Sequence, residues 1–250
     1  MITDKMIQYY SLLFFACSIL GWCIEVLCKL IQFHRFFNRG FLVGPWCPIY
    51  GFGAVFISLL LSRHAEDPLA VFGLAILICG ILEYSTSYMM EKIFHARWWD
   101  YSTKKFNLNG RVCADTLLPF GLLGLLLVYA ITPVMFSCFD LLSETMIQII
   151  CLSLSLLFLA DITISTTTLV KIRVHAGKLN GDSTEKITNE VRSVLAEKSA
   201  LVRRMMRAFP EARLYNGKII MIMRERRLQL RKEIKQAKKK TKQRIQLTER

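Results

Sequence analysis

Five apolar runs, at about residues 7–31, 46–62, 69–92, 115–137 and 146–170, dominate this chain. Roughly 20 apolar residues in a helix cross the hydrocarbon of a bilayer, about 30 Å thick. Inside that medium every backbone N–H and C=O must be paired within the protein, which leaves helices or a closed barrel. The expected fold is therefore all-α, a polytopic transmembrane helical bundle of about five spans. The second run is the shortest. It is entered through Gly44-Pro45-Trp46-Cys47-Pro48-Ile49-Tyr50-Gly51, whose prolines and glycines leave two forms open, a short straight span or a broken, re-entrant one.

Charge divides the chain in two. From Lys171 onward there are 23 Lys/Arg and 8 Asp/Glu, a net of +15, against −1 for residues 1–170 and +14 for the whole. The expected organisation is a transmembrane helical domain, 1–170, followed by a basic cytoplasmic helical extension, 171–250. No basic n-region with a small-residue cleavage site precedes the first run, so it reads as a retained span. The connectors alternate in basic content. The 29–40 and 92–111 connectors are rich in Lys and Arg, 63–68 holds only Arg63, and 138–145 holds none. Because basic loops stay cytoplasmic, the expected placement is a bacterial cytoplasmic membrane, N-terminus outside and C-terminus inside.

Past Lys171 the pattern becomes amphipathic. Asp182 and Glu185 resemble a capping box, Ile187, Val191, Val194, Leu195 and Val202 follow at helical spacing, and Pro210 interrupts before a second helical run. A basic helical hairpin or coiled coil is expected there. Its positive charge suits the anionic inner leaflet, each basic residue contributing about 1 kcal/mol near such a surface, and docking to a partner protein is the alternative. With no recognition motif and few aromatics, nucleic acid is not the expected partner.

The connector Trp98-Trp99-Asp100-Tyr101-Ser102-Thr103-Lys104-Lys105-Phe106-Asn107-Leu108-Asn109-Gly110-Arg111 is richer than a plain turn requires. Ionisable residues within spans are expensive and need partners. Glu25 lies in the first span, Asp161 in the fifth, and Glu83, Ser87 and Glu91 share one helix face of the third at i, i+4 and i+8, the carboxylates about 12 Å apart along the axis. All four acids fall in the half of the membrane onto which the two elaborate loops open. Two readings stay open: acids that pair with Arg39, Arg97 and Arg111 to hold the loops, or acids that line a polar cavity. Trp98, Trp99 and Tyr101 also suit a headgroup belt, and the hydroxyl run Thr163–Thr168 suits helix–helix contact.

Several functions lack their signatures. There is no GxxxxGK[ST] for nucleotide phosphates, no HExxH or GxSxG, and no zinc-spaced Cys/His set. No metal or cofactor is expected, and the eight cysteines, with no CxxC pair, read chiefly as small apolar residues.

The strings Gly21-Trp22…Glu25, Phe37-Asn38-Arg39-Gly40-Phe41-Leu42…Gly44-Pro45…Pro48-Ile49-Tyr50-Gly51, Leu82-Glu83…Glu91 and Trp99-Asp100-Tyr101-Ser102…Phe106-Asn107…Gly110-Arg111 resemble a bacterial membrane family. That family is described as putative ABC-transporter type IV, and the likeness covers about residues 10–165. The resemblance implies a permease-type transport protein that would rely on a separate ATP-binding subunit. The leading expectation is a permease-like component with a cytoplasm-facing polar cavity. Its candidate substrate-binding residues are Glu25, Asn38, Arg39, Glu83, Glu91, Trp99, Asp100, Tyr101, Asn107 and Arg111. Glu25 and Glu83 would line the cavity, with Arg39, Asp100, Asn107 and Arg111 at its mouth. The alternatives are a membrane-embedded enzyme acting on a lipid or lipid-linked substrate, with Glu83 or Asp100 as acid or base, and a membrane-anchored adaptor working through the basic tail.

Overall fold

A computed structural model describes residues 4–34, 36, 38, 41–94, 96–97, 99–178 and 213–214. Its helices are α1 (Asp4–Phe33), α2 (Pro48–Leu61), α3 (Pro68–Phe94), α4 (Ala114–Leu126), α5 (Thr132–Asp140) and α6 (Glu144–Lys178). Among the described residues, four stretches are long and apolar enough to cross a membrane: Asp4–Ile31, Pro68–Ile93, Ala114–Asp140 and Glu144–Thr168. The chain is thus a mostly helical, multi-pass membrane protein. The third stretch joins α4 to α5 through one widened turn, Leu127–Ile131. Pro133 follows two residues on; its missing N–H and its ring both disturb the preceding helical turn, a recognised cause of such bulges.

The second apolar run is different. α2 has 14 residues, a rise of about 21 Å, shorter than the hydrocarbon it would have to cross. Residues 41–47 ahead of it are not helical. The Cys47 N–H donates to the Ser18 carbonyl at 2.9 Å, and Ser18 stands near the midpoint of the Asp4–Ile31 stretch. The N-terminus of α2 therefore begins beside the middle of α1.

The bundle is pinned at both ends. At one, the Tyr9 hydroxyl and the Lys5 ammonium reach Asp140 Oδ1 at 2.7 and 3.0 Å. The connectors following α1 and α3 lie at the other. The core between them gathers Leu13, Cys17, Ala54, Ile57, Leu61, Val71, Ala75 and Leu127, while Phe15, Leu42 and Trp46 seat the non-helical segment against α6 through Phe158. Short strands add a β2–β3 hairpin, Asn107–Leu108 with Val112–Cys113, and an antiparallel pair of β1 (Ala96–Arg97) with β4 (Arg213–Leu214). The expected basic hairpin of the tail otherwise lies outside the described residues.

Lipid tails are as apolar as leucine, so helices associate in a bilayer largely by close packing of small residues. A Cβ on Gly51 would fall 2.3 Å from Ser18 Oγ and 2.5 Å from the Phe14 carbonyl oxygen. That second atom is backbone and cannot swing aside. Gly51→Ala is expected to push α2 off α1 and destabilise the bundle by about 1–3 kcal/mol, read as a lowered Tm in detergent. Gly53→Ala is the control, since its nearest foreign atom, Leu82 Cδ1, is 3.9 Å away. Equal melting of the two variants would refute the close-packing account.

Candidate functional site

The segment before α2 is held by a carboxylate 118 residues away. Asp161, buried in α6, accepts the Val43 N–H on Oδ1 and the Gly44 N–H on Oδ2, both at 2.7 Å. The Ser165 hydroxyl, one turn on, adds a third bond to Oδ1 at 2.9 Å. Two successive amides on one carboxylate are a charge-assisted clasp, stronger than neutral bonds. Gly44 is required by the fit, because a Cβ there would meet the Trp46 indole and Asp161 Oδ2 at 2.2 and 2.9 Å. Asn38 steadies the upstream part: its Oδ1 accepts the Trp22 indole N–H at 2.7 Å and its Nδ2 donates to the Val43 carbonyl at 3.0 Å.

Below this clasp a groove runs between α1 and α4, floored by α2 and α3. Its cavity volume is about 100 Å³, and part of it is open to the outside. Its walls are nearly all apolar, and Glu83 and Tyr50 are the polar side chains at its loop end. Glu83 is buried on α3. The Thr116 hydroxyl donates to its Oε2 at 3.3 Å, and the Tyr101 hydroxyl stands beside it. Burial first, and then the neighbouring Glu83 carboxylate, raise the Tyr101 phenol well above its ordinary pKa, so it stays a donor. Across the groove the Tyr50 hydroxyl donates to Glu25 Oε1 at 3.0 Å. Among the described residues Glu83 has no Lys or Arg partner.

The connector between α3 and α4 builds a platform over this end. Asp100 Oδ1 accepts the Ser102 N–H, and Asn107 closes a turn by donating to the Lys104 carbonyl and accepting the Gly110 N–H. Gly110 has φ +69°, and a Cβ there would sit 2.5 Å from Asp100 Oδ1. Arg111 turns inward from the platform. It pairs with Glu91 Oε2 at 2.8 Å, donates to Ser87 Oγ at 3.2 Å, and lies 5.7 and 5.4 Å from the rings of Tyr84 and Tyr88. Its carbonyl accepts the Trp99 indole N–H at 2.9 Å.

The structure thus sorts the residues singled out from sequence into three groups. Glu83 reaches the groove, with Glu25 joined to it through Tyr50 and Tyr101 beside it. Glu91, Arg111 and Trp99 form one buried pair and its brace, and the i, i+4, i+8 face does carry Glu83, Ser87 and Glu91 toward the loop. Asp100 and Asn107 shape the connector and Asn38 the segment before α2. Arg39 and Trp98 lie outside the described residues. Tyr50 and Thr116 are not among the residues expected from sequence, and Asp161, expected to pair with an arginine or to line a cavity, instead holds two backbone amides. The signal for Tyr50 was its place at the proline-broken entry to a helix. All eight cysteines are free thiols, and no three His, Cys, Asp or Glu side chains converge among the described residues.

Residues 12–166 match the model of the protein family described as putative ABC-transporter type IV. No curated protein and no solved structure is matched.

Proposed function

The chain belongs to the family described as putative ABC-transporter type IV, and from that premise we propose that it is the membrane-embedded component of a transporter, with its substrate site at the Glu83 end of the groove. The observation that carries this reading is the break ahead of α2. Irregular backbone at membrane depth survives only where protein covers it or where it borders a cavity. Helices that begin near the midplane are a recurrent way for transporters to build substrate sites. Here the segment clasped by Asp161 delivers Tyr50 to the groove.

In the proposed topology, residues 41–47 with α2 make a broken passage that counts as the fifth crossing. The basic 29–40 and 92–111 connectors then face the cytoplasm with the site between them. The basic segment 171–250 would rest on the anionic inner leaflet. Having no GxxxxGK[ST], the chain would draw on a separate ATP-binding subunit docked at the 92–111 connector. Purification from native membranes in mild detergent, followed by mass spectrometry, tests this. A stoichiometric ATP-binding subunit is the expected result, and its reproducible absence would remove the ABC permease assignment. A second reading, a membrane enzyme acting on a lipid, draws on the hydroxyls that Thr116 and Tyr101 set against the Glu83 carboxylate. Chemical turnover of a lipid by the purified chain without nucleotide would select it.

A further inference from the structure

We propose that the groove takes a membrane lipid of the loop-side leaflet, its acyl chain along α4 and its protonated amine on Glu83, so that the substrate class is an amine-bearing amphiphile. This rests on the transport reading of the same site and adds the chemistry of its cargo.

Length is the first argument. The groove follows α4 and the widened turn after it from Phe120 to Ile131, a rise of about 16 Å, and one leaflet contributes about half of a 30 Å hydrocarbon core. Its polar end lies toward the platform, where Thr116 meets Glu83 and the Tyr50 and Phe120 rings are 6.1 Å apart. Its far end reaches Cys17, at the middle of the first span. A groove with these limits begins near headgroup depth and stops near the midplane, as a chain from one leaflet does.

Lining and charge supply the second argument. Leu20 and Ile24 of α1, Ile57 of α2, Leu123 of α4 and Leu127 of the widened turn present hydrocarbon to the open space. At that depth, a groove open to the side meets acyl chains. Glu83, 5 % exposed and without a cationic partner among the described residues, is a costly group to bury as a carboxylate. An ammonium supplies the opposite charge, and further hydrogen-bond donors beside the Thr116 and Tyr101 hydroxyls. A headgroup of net negative charge would instead face the Glu83 carboxylate. Gly53 marks where the chain would run, because a Cβ there meets only Leu82 Cδ1 at 3.9 Å.

The test uses the full chain in mild detergent, equilibrated with equal amounts of phosphatidylethanolamine and phosphatidylglycerol, and counts retained lipid by native mass spectrometry. Phosphatidylethanolamine should be retained about tenfold over phosphatidylglycerol, the scale of one charge-assisted hydrogen bond. Glu83→Gln should bring that ratio near unity while lipid is still retained. Gly53→Leu, whose side chain would occupy the groove, should reduce both lipids together. N-acetylated phosphatidylethanolamine, presented to the unmodified chain, should bind no better than phosphatidylglycerol, a readout free of any folding defect in Glu83→Gln. Equal retention of the two lipids, a preference that survives amine acetylation, or a dimer that covers the groove would each overturn the assignment. None of these measurements needs ATP or transport, so they can fail while the ATP-binding subunit still co-purifies, and the reverse also holds.

Discussion

Asp161→Ala is expected to release residues 41–47 from the middle of the bundle and to destabilise it by about 2–6 kcal/mol, since each buried amide left without an acceptor costs about 1–3 kcal/mol. The variant removes the acceptor of both the Val43 and Gly44 N–H groups in a single change. Water does not replace it easily, because Leu42 and Trp46 on the same segment are buried with Phe15. Asp161→Asn should fall between wild type and alanine: its one carbonyl oxygen serves one amide, while its NH₂ faces the other N–H as donor against donor. Thermal unfolding in detergent measures the stability change. Cys47, half-buried and bonded through its N–H to Ser18, reports on the segment itself. In a background where the other seven cysteines are replaced, a water-soluble maleimide should label it slowly in wild type and much faster in Asp161→Ala. Unchanged labelling and an unchanged Tm would mean that the clasp does not hold the segment.

The four long spans were legible because each is an apolar run bounded by polar residues, and the structure places them within a few residues of the expected limits: 7–31 against Asp4–Ile31, 69–92 against Pro68–Ile93, 115–137 against Ala114–Asp140, and 146–170 against Glu144–Thr168. The geometry before α2 was not legible in the same way. Its decisive contact joins Asp161 to two backbone amides, and a main-chain donor leaves no residue type by which to find it. The glycine at 44 was visible, but its reason, the Trp46 indole and Asp161 beside it, is tertiary. The i, i+4, i+8 spacing did place Glu83, Ser87 and Glu91 on one face, and Arg111 was among the partners considered for such acids. Asp100 and Asn107 were read as a cavity mouth, although an Asx residue ahead of a polar turn with Gly110 is also ordinary turn chemistry. Thr116 carries no sequence signal and Tyr50 only its place just after Pro48, since hydroxyls at the starts of apolar helices are common. What marks them is the carboxylate each one meets.

Arg111→Met should give the second large effect, because it withdraws a guanidinium from a part-buried acid while keeping most of the side-chain volume. Breaking a buried ion pair from one side costs about 3–5 kcal/mol. The Arg111 side chain is 9 % exposed and that of Glu91 19 %, which argues for the lower end of that range. The same substitution removes the donor to Ser87 and the cation between the Tyr84 and Tyr88 rings. The Arg111 carbonyl, which accepts the Trp99 indole N–H, survives as backbone but loses its fixed position. Arg111→Lys should recover only part of the loss, since a single ammonium cannot serve Glu91 and Ser87 with the fixed fork of a guanidinium. A double-mutant cycle isolates the pair. Glu91→Gln should be milder than Arg111→Met and should restore more than half of the lost stability when combined with it, because the neutral amide no longer demands a cation. Hydrogen exchange locates the effect: the Tyr101 N–H, bonded to the Gly110 carbonyl, should exchange faster in Arg111→Met and recover in the double variant. If the two substitutions simply add, Arg111 and Glu91 are neighbours without coupling, and the platform above Glu83 is held by its own turns instead of by its anchor to α3.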